Sequence, residues 1–196
     1  MLKRSVLTAI VILAATVTGR AETYTIDIKH SHVDFSVRHL MISRVPGQFQ
    51  DFSGTVEFNP KDTSKWAVDV TIKSASIATG DSARDKHLRS TDFLAADSFP
   101  TVTFKSTRIV PKGGGKFDLI GNLTIRGVTK PVTLNAEMLG MIDDPRMGKR
   151  VGFAATTTID RIAFGVNWNG TLSAGGLVVG HDVQIDLGVE AYIPKP

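Results

Sequence analysis

The chain has 196 residues, 42% of them hydrophobic, no cysteine, and a formal charge of +4. That length is ample for one domain with a real core, and the missing cysteines exclude a small disulfide-stapled scaffold. Lys3, Arg4 and Arg20 fall in the first 21 residues with no acid among them, so the remainder carries only +1 and the electrostatic case for a nucleic-acid partner disappears.

Residues 1–21 join a basic head to an apolar run from Val6 to Ala15, interrupted by Thr8, and end on small residues. This is the pattern of a secretory signal peptide, with cleavage expected after Ala21. The run is shorter than the ~20 residues of a permanent membrane span. The expected organisation is therefore a signal peptide over 1–21 and one exported domain over 22–196.

Beyond it, apolar and polar residues alternate with period two. The first block runs from Tyr24 to Leu40 with a break near Lys29-His30-Ser31, and Val33, Phe35 and Val37 share a face. Pro46-Gly47 reads as a turn. Phe52, Gly54, Val56 and Phe58 alternate next, with Phe49 out of phase, which predicts a bulge near Gln50-Asp51. A strand through Trp66, Val68, Val70 and Ile72 follows.

The stretch from Thr79 to Pro100 interrupts this rhythm. Ser82 followed by Asp85 predicts a helix N-cap pair and a short helix from about Ala83 to Arg89, with Phe93, Leu94 and Phe99 as apolar anchors. Alternation then resumes through Val102 and Phe104. After a Gly-rich loop at 111–116 come Phe117 to Ile125, a turn at 126–130, Val132 to Met138, a polar loop at 143–149, and Val151 to Ile159. Val183 to Ala191 is the cleanest alternation in the chain. About eight strands with short connections predict an antiparallel barrel or a two-sheet sandwich; the barrel is preferred because closure leaves no edge. Periodicity chooses neither which face points inward nor whether the interior is packed or holds a ligand.

Two clusters could carry chemistry. His30 and His32 would project from one face of a strand, as paired imidazoles do around zinc or copper, with His181 or Asp182 as a third ligand; the other reading is polar bonding at a strand break. Ser31 cannot be served by either histidine in regular strand geometry, and no G-x-S-x-G pattern occurs, so acyl transfer is disfavoured. Arg84, His87 and Arg89, joined by Arg38 and Arg44, could receive an anionic head group, or could belong to a salt-bridged solvated helix.

Several ordered motifs resemble the YceI-like family of bacterial periplasmic lipid- or polyisoprenoid-binding proteins. They are Ile26-Asp27 with His30-Ser31-x-Val33-x-Phe35-x-Val37-Arg38-His39-Leu40, then Gly47-x-Phe49, then Arg84-Asp85-x-His87-Leu88-Arg89-Ser90 with Asp92-Phe93 and Phe99-Pro100. Gly121-x-Leu123-Thr124-Ile125-Arg126-Gly127-Val128-Thr129-Lys130-Pro131-Val132 is the most distinctive, and Arg161 with Phe164-Gly165 completes the pattern. Tyr24 departs from the family's usual Trp.

The resemblance implies an extended, lipocalin-like, eight-stranded antiparallel barrel with one short helical crossing. It further implies a periplasmic location and a tunnel holding an isoprenoid or other long-chain lipid. The candidate tunnel lining is Phe35, Val37, Phe49, Phe58, Leu88, Phe93, Phe104, Leu123, Phe153 and Phe164, and the candidate mouth contacts are Arg38, Arg84, His87 and Arg89. The family supplies no catalytic residue and no catalytic cofactor. The expected partner is the lipid alone, without nucleic acid, and a homodimer is compatible with so strand-rich a surface. The alternative function is a periplasmic metal-binding protein or metalloenzyme using His30 and His32.

Overall fold

Period-two alternation becomes strand almost wherever it occurs. The computed structural model describes residues 19–170, 172 and 175–194, so the expected signal peptide lies outside the described residues except for Gly19, Arg20 and Ala21. The strands are β1 (Glu22–Ile26), β2 (His32–His39), β3 (Ser43–Phe49), β4 (Phe52–Phe58), β5 (Ala67–Lys73), β6 (Ile77–Ala78), β7 (Thr101–Gly113), β8 (Lys116–Ile125), β9 (Val128–Asp144), β10 (Gly148–Asp160) and β11 (Val179–Tyr192). Among the described residues a single α-helix, α1 (Ser82–Arg89), stands between β6 and β7.

All pairings are antiparallel, and β1 pairs with both β4 and β11, which closes the sheet. β1 and β2 lie one after the other along β11, with Ile26 opposite Ala191 and His32 opposite Gly188. They form one interrupted stave, and β3 with β4 and β5 with β6 form two more. Eleven strands thus make an eight-stave barrel, as the alternation predicted. The interruptions lie side by side and are stitched together: Gln50 N–H donates to Ser76 O at 3.1 Å and Lys73 N–H to Asp51 O at 2.8 Å.

Antiparallel order sends successive connections to opposite ends. One end carries the N-terminus and the turns after β4, β7 and β9. The other, the crossing end, carries the 40–42 turn, the 79–100 segment, the Arg126-Gly127 turn and the connection into β11. Inward positions hold the apolar stripe, and outward positions of β2 and β11 hold residues such as Asp34, Ser36, Gln184 and Asp186. That polarity is the reverse of a transmembrane barrel with its apolar outer band. No helix among the described residues is long and apolar enough to cross a membrane.

Two expectations are corrected. Pro46-Gly47 is not a turn; both sit inside β3, opposite Ser36 and Phe35, and the chain reverses at Leu40–Ile42 instead. β6 pairs only with Gln48 and Phe49, so Pro46 needs no N–H for its outer neighbour. Gly47 is required by the Phe35 ring, which a Cβ there would approach to 2.3 Å. In α1 the cap is Asp81, which accepts from Ala83 and Arg84 N–H at 3.0 Å each; Ser82 is already helical. Asp81 suits the helix dipole as a negative cap, and those bonds lower its pKa. Asp85 instead accepts from the Thr79 backbone and hydroxyl at 2.9 and 2.6 Å.

The N-terminal end is solidly packed. Tyr24, Phe58, Val151 and Ala191 are essentially inaccessible, and Trp66 meets the rings of Phe58, Phe117 and Phe153 at 4.9, 5.3 and 5.8 Å. Farther along the barrel the inward Val183, Ile185, Leu187 and Val189 remain half-buried. They face a cavity.

Candidate functional site

The cavity has a volume of about 270 Å³ and runs inside the barrel from Trp66, Phe117 and Phe153 to Leu88, Phe93 and Phe164 at the crossing end. Its lining along β11 extends from Val179 to Val189, which at ~3.3 Å per residue and a ~40° strand tilt corresponds to about 25 Å of barrel axis. A small volume spread over that length describes a thread-like space rather than a chamber. Among the described lining residues only Asp34, Thr157 and Arg161 are polar, and Asp34 borders the space from an outward position of β2. Such a wall offers dispersion and exclusion of water, with few hydrogen-bonding groups to demand a particular ligand.

The cavity wall brings together nine of the ten residues named as candidate lining: Phe35, Val37, Phe49, Leu88, Phe93, Phe104, Leu123, Phe153 and Phe164. Phe58 does not. It is fully buried behind the others, edge-on to Tyr24 at 5.7 Å and against Trp66 at 4.9 Å. Because Phe58 is near the end of β4 at the packed end, the inward phase of its strand delivers it to the plug instead of the cavity.

The crossing end is covered by segments outside the barrel wall. Leu88 and Leu94 from the 79–100 segment reach the cavity, and Phe93 packs at 5.1 Å against Trp168 from the connection before β11. His87 contacts both rings edge to face, at 5.0 Å from Phe93 and 4.9 Å from Trp168, while its Nε2 lies 2.8 Å from Asp92.

The four expected mouth contacts do not converge. Arg84 donates to the Thr79 hydroxyl and carbonyl at 2.7 and 2.9 Å, and Arg89 to the Ala75 and Ile77 carbonyls at 3.4 and 3.3 Å. Arg89 fastens the crossing to the β5–β6 stave, and Arg84 ties α1 to the first residue of the crossing. His87 belongs to the aromatic cover, and Arg38 lies on the outer face of β2 beside Arg44 of β3.

Arg161 is the cation that lies at the tunnel. It is buried in the turn after β10 and donates to four carbonyls, of Gly180, Val166, Trp168 and Val179, at 2.8, 2.5, 3.0 and 3.2 Å. Burial pushes its pKa below the ordinary arginine value, against an opposing pull from Asp160. The side chain thereby organises the connection that carries Trp168. Trp168 itself was invisible in the pattern, because it stands in a segment without periodicity; Val183 to Val189 were visible as a stripe but not as a lining.

His30 and His32 are separated. His30 sits in a short 3-10 turn at Ile28–His30 with Nδ1 2.9 Å from Asp27, whereas His32 starts β2 and lies 3.3 Å from Asp186. The strand break removes the shared face that would aim both at one ion. Among the described residues, Asp27, His30 and Glu190 are the acid and histidine groups whose ligand atoms converge. Arg150 already fills the electrostatic role there, bonding Asp27 at 3.0 Å and also Glu190. His30 and then Arg150 hold the Asp27 carboxyl at about 2.

Residues 24–191 match the YceI-like domain, and the chain belongs to that family. It is 47% identical to Protein YceI of Salmonella newport over 146 residues, covering 74% of this chain and 76% of the relative. The crystal structure of Burkholderia cenocepacia BcnA superimposes with a TM-score of 0.72 at 28% identity, covering 84% of this chain and 98% of that one. A polyisoprenoid binding domain from Saccharophagus degradans has the same fold at 16% identity, with a TM-score of 0.63 and coverage of 87% and 98%.

Proposed function

We propose that this YceI-like protein is a periplasmic carrier or sequestering protein that holds one long apolar chain in its tunnel: a polyisoprenoid, an isoprenoid quinone tail or a similar lipid. The observation that carries the reading is the inward apolar stripe of β11, half-buried around a long, narrow and almost wholly apolar space. Each methylene moved from water into such a space favours binding by ~0.8 kcal/mol, so a long chain binds tightly without precise polar contacts. The polyisoprenoid-binding description of the Saccharophagus degradans domain supports the ligand class. The signal-peptide pattern of residues 1–21 supports export. Binding and release, rather than bond chemistry, constitute the proposed activity.

The test is extraction of the protein purified from its native periplasm, followed by mass spectrometry of the extract. The expected result is a stoichiometric isoprenoid or other long-chain lipid. Recovery of no lipid, combined with failure to bind any isoprenoid added back, overturns the reading.

A further inference from the structure

The β2–β3 hairpin ends in a feature that the tunnel does not explain. Its tip is Leu40-Met41-Ile42, with Ile42 85% exposed and Met41 48% exposed. Leu40 and Met41 have φ of 51° and 62°, and Ile42 N–H bonds His39 O at 3.1 Å. A tight turn with two successive positive φ values ordinarily recruits Asn-Gly. Here Leu40 and Met41 take those positions, and Met41 and Ile42 are presented to solvent.

One register step into the hairpin, Arg38 and Arg44 stand directly opposite each other on neighbouring strands, both exposed. Neither makes an ion pair or a side-chain hydrogen bond among the described residues. Like charges at opposed cross-strand positions destabilise a sheet. An anionic partner relieves that repulsion, and a hydrocarbon phase covers Ile42 and Met41. A lipid surface supplies both at once, whereas a free phosphate leaves the apolar tip in water.

The tip is also tied to the tunnel cover. Leu40 N–H donates to Val178 O at 2.8 Å, and His39 pairs with Val179. The Asn169 side chain brackets Val179, donating to its carbonyl at 2.7 Å and accepting from its N–H at 3.0 Å. Trp168, the ring that closes on His87 and Phe93, is the residue just before Asn169.

A second exposed apolar tip provides the contrast. The β9–β10 hairpin shows Leu139, Ile142 and Met147 to solvent and projects from the packed end, but its charges are mixed: Asp143 and Asp144 stand beside Arg146 and Lys149, and Lys149 is paired with Glu22. It offers no like-charged cross-strand arginine pair beside its apolar side chains.

We propose that the crossing end docks on an anionic lipid bilayer. Met41 and Ile42 enter the headgroup layer, Arg38 and Arg44 receive lipid phosphates, and the cover that includes Trp168 is set against the membrane from which a chain would be drawn. The docking surface goes beyond the carrier reading and stands without it.

Co-sedimentation with vesicles of phosphatidylcholine, alone and mixed with phosphatidylglycerol, tests the proposal on the chain as purified from cells, so that wild type and variants share one N-terminus. Wild type is expected to bind the mixed vesicles more strongly, with affinity falling as salt rises. Ile42→Asp should lower that affinity at least tenfold, and Arg38→Gln or Arg44→Gln about fivefold each. Ile142→Asp in the other hairpin should leave it unchanged. Thermal unfolding of each variant within a few degrees of wild type shows that the fold is intact. Equal vesicle binding by Ile42→Asp, or an effect of Ile142→Asp as large as that of Ile42→Asp, overturns the proposal. Concentration-dependent self-association that Ile42→Asp abolishes, without vesicle binding by wild type, assigns the tip to a second copy and overturns it too. Loading with a detergent-solubilised isoprenoid is read in parallel: a chain that loads in the variants separates docking from the tunnel, and vesicle binding without loading by any variant or wild type removes the carrier reading alone.

Discussion

His87 and Trp168 meet edge to face, with ring centroids 4.9 Å apart and planes at 84°, although one belongs to α1 and the other to the connection before β11. Their contact joins two segments that are not staves of the barrel. Trp168 also lies on Phe93 at 5.1 Å. Aromatic pairs of this kind contribute ~0.5–1.5 kcal/mol each beyond area burial. Trp168→Ala should therefore release a bound fluorescent isoprenoid about tenfold faster than wild type in stopped-flow exchange. An unchanged release rate would show that this cover is not the exit.

Ala155 faces the tunnel between Ala136 of β9 and Leu187 of β11. Ala155→Phe projects a ring from this buried wall position into the narrow space, so the stability cost should not exceed the ~1–3 kcal/mol usual for an enlarged core side chain. Excluding even three methylenes weakens binding roughly fiftyfold, since each contributes ~0.8 kcal/mol. Titration with isoprenoids of increasing length checks this, because the variant should lose the gain in affinity that longer chains give wild type.

Asp27 links the fold to pH. Its folded pKa of about 2 lies below its ordinary 3.8, so its stabilising contribution is complete above the ordinary value and is lost as pH falls from there through the folded value. The contribution is at most about 2 kcal/mol. Asp27→Asn should flatten acid unfolding over that window by this amount, as read by denaturant titrations at several pH values. It should also leave Arg150 with one carboxylate partner, Glu190, in place of two.

Arg161→Met takes the guanidinium away from four carbonyls around a buried turn; the Val179 carbonyl keeps the Asn169 amide, while those of Gly180, Val166 and Trp168 lose their side-chain donor. The cost should be about 3 kcal/mol or more in equilibrium unfolding. Hydrogen exchange should accelerate first between 166 and 180, because those residues hold the orphaned groups. Uniform acceleration across the barrel would contradict a local role.

Arg84→Ala with Arg89→Ala separates a clasp from a head-group site. Both guanidinium groups bond the chain just before or within the crossing, so the pair should lose about 1–2 kcal/mol of stability. Affinity for a polyprenyl phosphate should stay within twofold of wild type, which calorimetry can resolve.

The eight staves were legible because each has one wet and one apolar face, and that requirement writes itself into alternate residues. The break at Lys29-His30-Ser31 and the phase slip at Phe49 were legible for the same reason. Pro46-Gly47 misled because its composition signals a turn, while the actual reason for Gly47 is the ring of Phe35 on the neighbouring strand. That is a tertiary cause without a local signature. The inward face could not be chosen from alternation when both faces carry apolar residues; closure through β1 and β11 decides it. Arg161 and Trp168 were obscure for a further reason: their roles depend on carbonyls and rings brought in from other segments. The cationic cluster around α1 was visible, but charge in a sequence does not reveal whether it meets a ligand or its own backbone.

The ring-packed end where Trp66 meets Phe58, Phe117 and Phe153 makes the tube blind. A blind tube admits its guest tail first and returns it head first, so the polar terminus of any chain inside stays nearest the doorway. It also measures. A chain shorter than the tube leaves wall uncovered, and a longer one must leave part of itself outside, so the aromatic floor sets the length of cargo that the barrel can fully enclose.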